Sequence, residues 1–123
     1  MARALITNTT LRKLELEGNC LGAQTARVFA LALRKNKTLR YLDLESNDLT
    51  LETEDNGGVE DMISALAQNT TLLSLNLANN RLDDNIGKQF EEHPFWTTLD
   101  YLTIAFPVAK WGTALASLER GAS

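Results

Sequence analysis

The sequence predicts an α/β solenoid: short parallel strands on the concave side, helices on the convex side, about three to four strand–turn–helix units and a closing C-terminal helix. Three observations carry this expectation. The segments TLRKLELEGN from Thr10, TLRYLDLESN from Thr38 and TLLSLNLANN from Thr71 keep their leucines and one asparagine while the other residues change. Leu11, Leu39, Leu72 and Leu99 mark one position in successive units, at a spacing of about 28 residues. Between these segments, FALALRKN and MISALAQN place apolar residues at helical spacing.

Within the units, Leu14, Leu42, Leu75 and Leu102 follow at plus three, and Leu16, Leu44, Leu77 and Ile104 at plus five. Alternate side chains of a strand face opposite ways. Leu14 and Leu16 therefore point inward, and Lys13, Glu15 and Glu17 point outward. One unit cannot bury its leucines alone, whereas stacked units can, at roughly 1.5–3 kcal/mol for each fully buried leucine. Asn19, Asn47 and Asn80, at plus eight, are expected to stack as a ladder whose amides pair with backbone groups of the turn. Asn8, Asn36 and Asn69 end the helical halves, and asparagine tolerates the left-handed conformation common there. All three also match the Asn-X-Thr glycosylation acceptor, but their shared repeat position makes turn geometry the explanation.

The pattern breaks in three places. Residues 1–10 form a partial first unit, because Met1 aligns with Phe29 and Met62, and Ala4-Leu5 with Ala32-Leu33 and Ala65-Leu66. No polar capping unit precedes Leu11, so the strand around residues 13–17 is expected to be an exposed sheet edge. Either the chain is a piece of a longer array or something covers that edge; a fragment or a subunit of a larger complex is expected rather than a free-standing monomer. The second break, LTLETEDNGG at residues 49–58, lengthens its unit by about five residues. Glu52, Glu54 and Asp55 make it acidic and Gly57-Gly58 make it flexible; a solvated loop and a contact loop are both open readings. The third break ends the repeats of residues 11–105. Pro94 interrupts a helix, Trp96 replaces the return asparagine and Pro107 ends the ladder. Val108, Trp111, Leu115 and Leu118 then share one helical stripe, which predicts a closing cap over residues 106–123, with Trp96 and Trp111 packed in it.

The pattern LxxLxLxxNxL is that of the leucine-rich repeat. The long unit and the ALxxNxTLxxLxLxxN phrasing resemble the ribonuclease-inhibitor-like class over roughly residues 1–105. NKTLRYLDLESNDL and NTTLLSLNLANN are also similar to tropomodulin phrasing. The class resemblance implies binding of another protein through the concave strand face or its rims. The tropomodulin likeness implies an alternative, a cytoskeletal component that docks on actin or an axonemal element through its helices and ends.

Composition narrows the function classes. The chain has 123 residues, 44% hydrophobic and 23% charged, which suits one globular domain. A formal charge of -4 argues against nucleic acid as a partner. No apolar run approaches the roughly twenty residues of a membrane span, and no secretory signal is recognisable at the N-terminus. The one cysteine, Cys20, cannot form an internal disulfide, and a reducing, cytoplasmic setting is expected. His93 is the only histidine and has no metal-ligand spacing around it. No nucleophile motif, phosphate loop or acid–base pair is recognisable, so a non-enzymatic module without cofactor or metal is expected.

The candidate site is the concave face. Stacking aligns Lys13, Tyr41, Ser74 and Tyr101 in one column, Glu15, Asp43, Asn76 and Thr103 in the next, and Glu17, Glu45, Ala78 and Ala105 in the third. Glu15 beside Asp43, and Glu17 beside Glu45, would then be like charges about 4.8 Å apart, at about 1 kcal/mol per pair in water. Lys13, Glu15, Glu17, Tyr41, Asp43, Glu45, Asn76 and Tyr101 form a patch suited to a basic, partly apolar protein partner. A merely solvated surface, relieved by Lys13, Arg12 and Arg40, is equally open.

Overall fold

The computed structural model describes residues 2–51, 54–83, 85–86, 88–89, 101–103 and 117–119. A 3-10 helix at Ala2–Ile6 precedes β1 (Lys13–Glu15), α1 (Gly22–Lys35), β2 (Tyr41–Asp43) and α2 (Gly57–Leu66). β3 (Ser74–Asn76), β4 (Tyr101–Thr103) and β5 (Ser117–Glu119) complete the described elements. They form one sheet in the order β1-β2-β3-β4-β5. The first four strands are parallel, and their register aligns Lys13, Tyr41, Ser74 and Tyr101, then Leu14, Leu42, Leu75 and Leu102, as the repeat positions predict. The ladder continues beyond the strands: the Leu16 N–H donates to Asp43 O and the Gly18 N–H to Glu45 O, each at 2.9 Å.

The core lies between this sheet and the helices. Leu39, Leu42, Leu44 and Leu49 from the second unit meet Phe29, Leu33, Met62 and Ile63 from α1 and α2, all buried. In the first unit, Leu11, Leu14, Leu16 and Leu21 pack on the same core but are only half-buried. Among the described residues β1 pairs with β2 alone, so no described strand lies on the outer side of these leucines.

Gly57 and Gly58, expected to loosen the inserted stretch, instead form the first turn of α2. A Cβ on Gly58 would lie 2.6 Å from Ala23 O and 2.6 Å from Ala26 Cβ, so the absent side chain lets α2 approach α1 backbone-to-backbone.

The turns after the strands are held by the expected ladder. Asn47 Nδ2 donates to Leu16 O (2.9 Å) and Glu45 O (3.1 Å), while its Oδ1 accepts the Asn19 N–H (2.8 Å) and the Leu21 N–H (3.4 Å). Asn80 repeats this one unit on, donating to Leu44 O (2.8 Å) and accepting the Asn47 N–H (2.9 Å) and the Leu49 N–H (3.2 Å). Each ladder asparagine is flanked by left-handed residues: Gly18, Ser46 and Asn79 before it, Cys20, Asp48 and Arg81 after it.

A second asparagine ladder runs along the opposite side, and here the expectation needs correcting. Asn36 is extended (φ -74, ψ 133), not left-handed. Its role is carried by the side chain: Oδ1 accepts the Thr38 N–H (2.9 Å) and the Leu39 N–H (2.7 Å), and Nδ2 donates to Leu5 O (2.8 Å) and Asn8 O (3.2 Å). Asn69 does the same for Thr71 and Leu72 and reaches back to Leu33 O (2.8 Å) and Asn36 O (3.4 Å). Asparagine is selected here for an amide that bridges two units, not for its tolerance of positive φ.

The expected closing helix is also corrected at its end. Leu118 lies on β5, antiparallel to β4 and paired with Leu102. Ser-Leu-Glu alternates as a strand should, a pattern that a helical stripe shares over so short a run, and β5 covers the edge of β4. Val108, Trp111, Leu115, Pro94, Trp96, Pro107, Glu52 and His93 lie outside the described residues.

The ladder makes an uneven prediction. Asn47 is fully buried and bonded on both sides, whereas Asn19 is exposed and its Oδ1 accepts from no described residue. Asn47→Ala is expected to destabilise the fold by about 1–3 kcal/mol, through backbone groups left unpaired. Asn19→Ala should cost less, and urea denaturation of both variants measures the difference.

Candidate functional site

Register places the predicted surface residues side by side, but they do not all face solvent. Lys13, Glu15 and Glu17 are exposed, and Tyr41, Glu45 and Asn76 are half-buried. Asp43 is only 7% exposed. Its Oδ1 accepts the Glu45 N–H at 3.0 Å, and one unit on, Asn76 Oδ1 accepts the Ala78 N–H at the same distance. Asp43 is thus a turn-forming residue whose carboxylate is occupied by its own backbone. The alternation of strand side chains placed it on the concave face; the local hydrogen bond folds it in. Tyr101 is aligned with Ser74 on β4.

The like-charge clashes expected along the columns are relieved at Glu15 and Glu45. Glu15 Oε1 lies 3.5 Å from Lys13 Nζ, and Lys13 Nζ stands 4.9 Å from the centroid of the Tyr41 ring. Glu45 Oε1 accepts a hydrogen bond from Asn76 Nδ2 at 2.9 Å. Lys13 and Glu15 are both well exposed, so their pairing orders the face more than it stabilises the fold. What remains is an acidic surface, Glu15, Glu17 and Glu45, around a tyrosine that already holds a cation against its ring. That surface can take further cationic groups and a flat apolar contact.

The inserted stretch is pinned. Arg27 Nη1 donates to Asp55 Oδ2 (2.9 Å) and Arg27 Nη2 to Asp55 Oδ1 (2.8 Å), joining the insertion to α1 with a two-pronged pair. The Asp55 N–H donates to Thr50 O (2.8 Å), Thr50 Oγ1 to Asn80 O (3.0 Å), and Asn56 Nδ2 to Asp83 Oδ2 (3.0 Å). The Arg27 guanidinium, and next the Gly57 N–H, hold the Asp55 carboxyl below its ordinary pKa; the same hydrogen bond raises that of Arg27. The repeat register does not announce this pair: the insertion puts Glu60, not Asp55, at the position equivalent to Arg27 one unit on.

The outer edge of β1 is the other candidate contact. Between the 3-10 helix and α1, a groove of about 310 Å3 is lined by Ala2, Arg3, Leu21, Thr25 and Val28. Among the described residues no group of three or more His, Cys, Asp or Glu could hold a metal ion, and no helix is long and apolar enough to cross a membrane. Cys20 is exposed on its left-handed turn.

The leucine-rich repeat family model matches residues 7–30, 35–52 and 68–90, just over half of the chain. No curated protein matches the sequence. Among solved structures, the fold is similar to that of leiomodin-1 actin-binding site 2, with a TM-score of 0.68 and 29% sequence identity. The alignment covers 89% of this chain and 62% of that one, so the chain spans less than two thirds of the leiomodin structure.

The Arg27–Asp55 pair sets a pH dependence. Because the folded-state pKa of Asp55 is lowered, its contribution is fully present above the unfolded value of about 3.9 and is lost as pH falls through the depressed folded value. Asp55→Asn should therefore melt below the parent protein at neutral pH, and the two melting temperatures should converge in acid. Thermal melts followed by circular dichroism from neutral pH downward check this. Each side chain of the pair is about one-third exposed, so salt should narrow the gap.

Proposed function

The chain belongs to the leucine-rich repeat family, and we propose that it is a non-enzymatic protein-interaction module, one part of a larger complex. It binds a protein partner with a basic, partly apolar surface through the concave strand face and the open edge of β1. The observation that carries this reading is the in-register row Lys13, Tyr41 and Ser74, beside Glu15 and Asn76 of the next row and with Glu45 two residues beyond, on a scaffold whose leucines are spent on stacking. Half-burial of Leu14 and Leu16 supports the edge as a second contact, because half-buried leucines at a strand edge favour association. A cytoplasmic setting fits an exposed free cysteine. Under this reading, Glu15→Lys with Glu45→Lys leaves the melting temperature within a few degrees and weakens partner capture at least about tenfold, a change of about 1.4 kcal/mol. Native affinity capture with parent and variant, compared by quantitative mass spectrometry, reads this; equal recovery of the same proteins would place binding elsewhere.

A second reading is favoured by the likeness to leiomodin-1 actin-binding site 2. Here the partner is actin, and the chain is a tropomodulin-like cytoskeletal component. The chain should then co-sediment with filamentous actin in a saturable manner. Recovery entirely in the supernatant, at protein concentrations well above the micromolar range, would remove this reading while leaving the first in place.

A further inference from the structure

Charge is segregated along the chain and across the solenoid. Residues 18–42 contain five basic residues (Arg27, Arg34, Lys35, Lys37 and Arg40) and no carboxylate, whereas residues 41–80 contain eight carboxylates and no Lys or Arg. The fold turns this into two unlike rims. The rim where helices return to strands comprises residues 7–12, 34–40 and 67–73, brought together by the second asparagine ladder: Asn36 Nδ2 reaches Asn8 O, and Asn69 Nδ2 reaches Asn36 O. These three segments hold Arg12, Arg34, Lys35, Lys37 and Arg40 and no acidic residue. The opposite rim carries Glu17, Glu45, Asp48, Glu54, Asp55 and Asp83, with Arg81 beside Asp48 and Arg27 paired to Asp55.

A favourable interaction with the helix dipole explains Arg34 and Lys35, which stand in the last turn of α1. It does not explain Lys37, Arg40 and Arg12, which lie beyond the helix. Arg12 and Arg40 are backbone neighbours, since the Arg40 N–H donates to Arg12 O at 2.8 Å. Arg12, Lys35 and Lys37 are exposed, and among the described residues no carboxylate lies within ion-pair distance of any of the five. Leu73, 39% exposed, adds an apolar element on the same rim. Arg40 Nη1 donates to Thr71 O at 3.3 Å, a neutral acceptor that leaves its charge in place. Cations gathered on one rim raise the local positive potential, and a complementary anionic surface relieves that repulsion.

We propose that the return rim is a docking surface for an acidic patch on a protein, separate from the concave face. The local character of the charge favours a protein over a polyanion. Glu15, Glu17 and Glu45 follow only a few residues along the same strands, roughly 10–17 Å away at about 3.3 Å per residue. An extended nucleic acid or an anionic membrane would overlap them and be repelled, whereas a bounded acidic patch would not.

The test uses the full chain and a fluorescent polyglutamate peptide, read by anisotropy at low ionic strength, with a DNA duplex of equal charge and phosphatidylserine vesicles as comparators. The rim should bind polyglutamate in preference to both, with affinity falling as salt is added. Arg12→Glu with Lys35→Glu and Lys37→Glu should weaken binding at least about tenfold, while Glu17→Lys with Glu45→Lys should not weaken it. Glutamine at the same three basic positions gives the same direction should the triple reversal fail to fold. The proposal is overturned if polyglutamate does not bind, if the basic-rim variants bind it as the parent does, or if DNA or vesicles bind more tightly. None of these outcomes bears on the concave-face reading, which has its own variants and readout.

Discussion

Each unit of this protein turns through one asparagine amide, exposed at Asn19 and fully buried at Asn47 and Asn80. The residues before and after each ladder asparagine are left-handed in all three turns, and apart from Gly18 they carry side chains: Ser46, Asn79, Cys20, Asp48 and Arg81. That conformation costs roughly 1–2 kcal/mol per non-glycine residue. The asparagine between them offsets the cost by donating to backbone carbonyls within its own turn or the neighbouring one and accepting N–H groups from the preceding turn. The side chain therefore closes its own turn and fixes the distance to the next. The strand register, the buried leucine column and the spacing of the helices follow from that repeat distance.

The second ladder performs the same service at the other end of each unit, with different backbone geometry. Both ladders use an amide because it can donate and accept at once. A carboxylate in the same place could accept but not donate. Asp43 illustrates this: it accepts its own turn's N–H and stops there, whereas Asn76, one unit on, also donates across to Glu45.

Leucine and asparagine spacing made the register legible before any coordinates, because residues at equal repeat positions must stack. The first two predicted columns correspond to observed strand partners. What escaped the sequence reading has local causes. A two-residue-period argument assigns Asp43 to the surface and cannot see a hydrogen bond to its own backbone. Gly57-Gly58 look loose by composition, yet they allow a close helix crossing that depends on the position of Ala23 and Ala26. Leu118 fits a helical stripe and a strand equally well, and only pairing with β4 decides it. The Arg27–Asp55 pair joins segments whose proximity depends on where the inserted stretch folds. Repetition thus exposes the scaffold, while the substituted positions carry the surface chemistry and depend on context.

The role of the ladder is most directly tested by amide hydrogen exchange, resolved by NMR on the intact chain. The Asn47 and Leu49 N–H groups lie in a turn but donate to Asn80 Oδ1, and the Leu44 N–H donates to Asn76 O in the sheet. If the buried amide organises the stack, the two turn amides exchange as slowly as that of Leu44. Exchange of Asn47 and Leu49 at the rate of an unprotected loop, with Leu44 still protected, would contradict it.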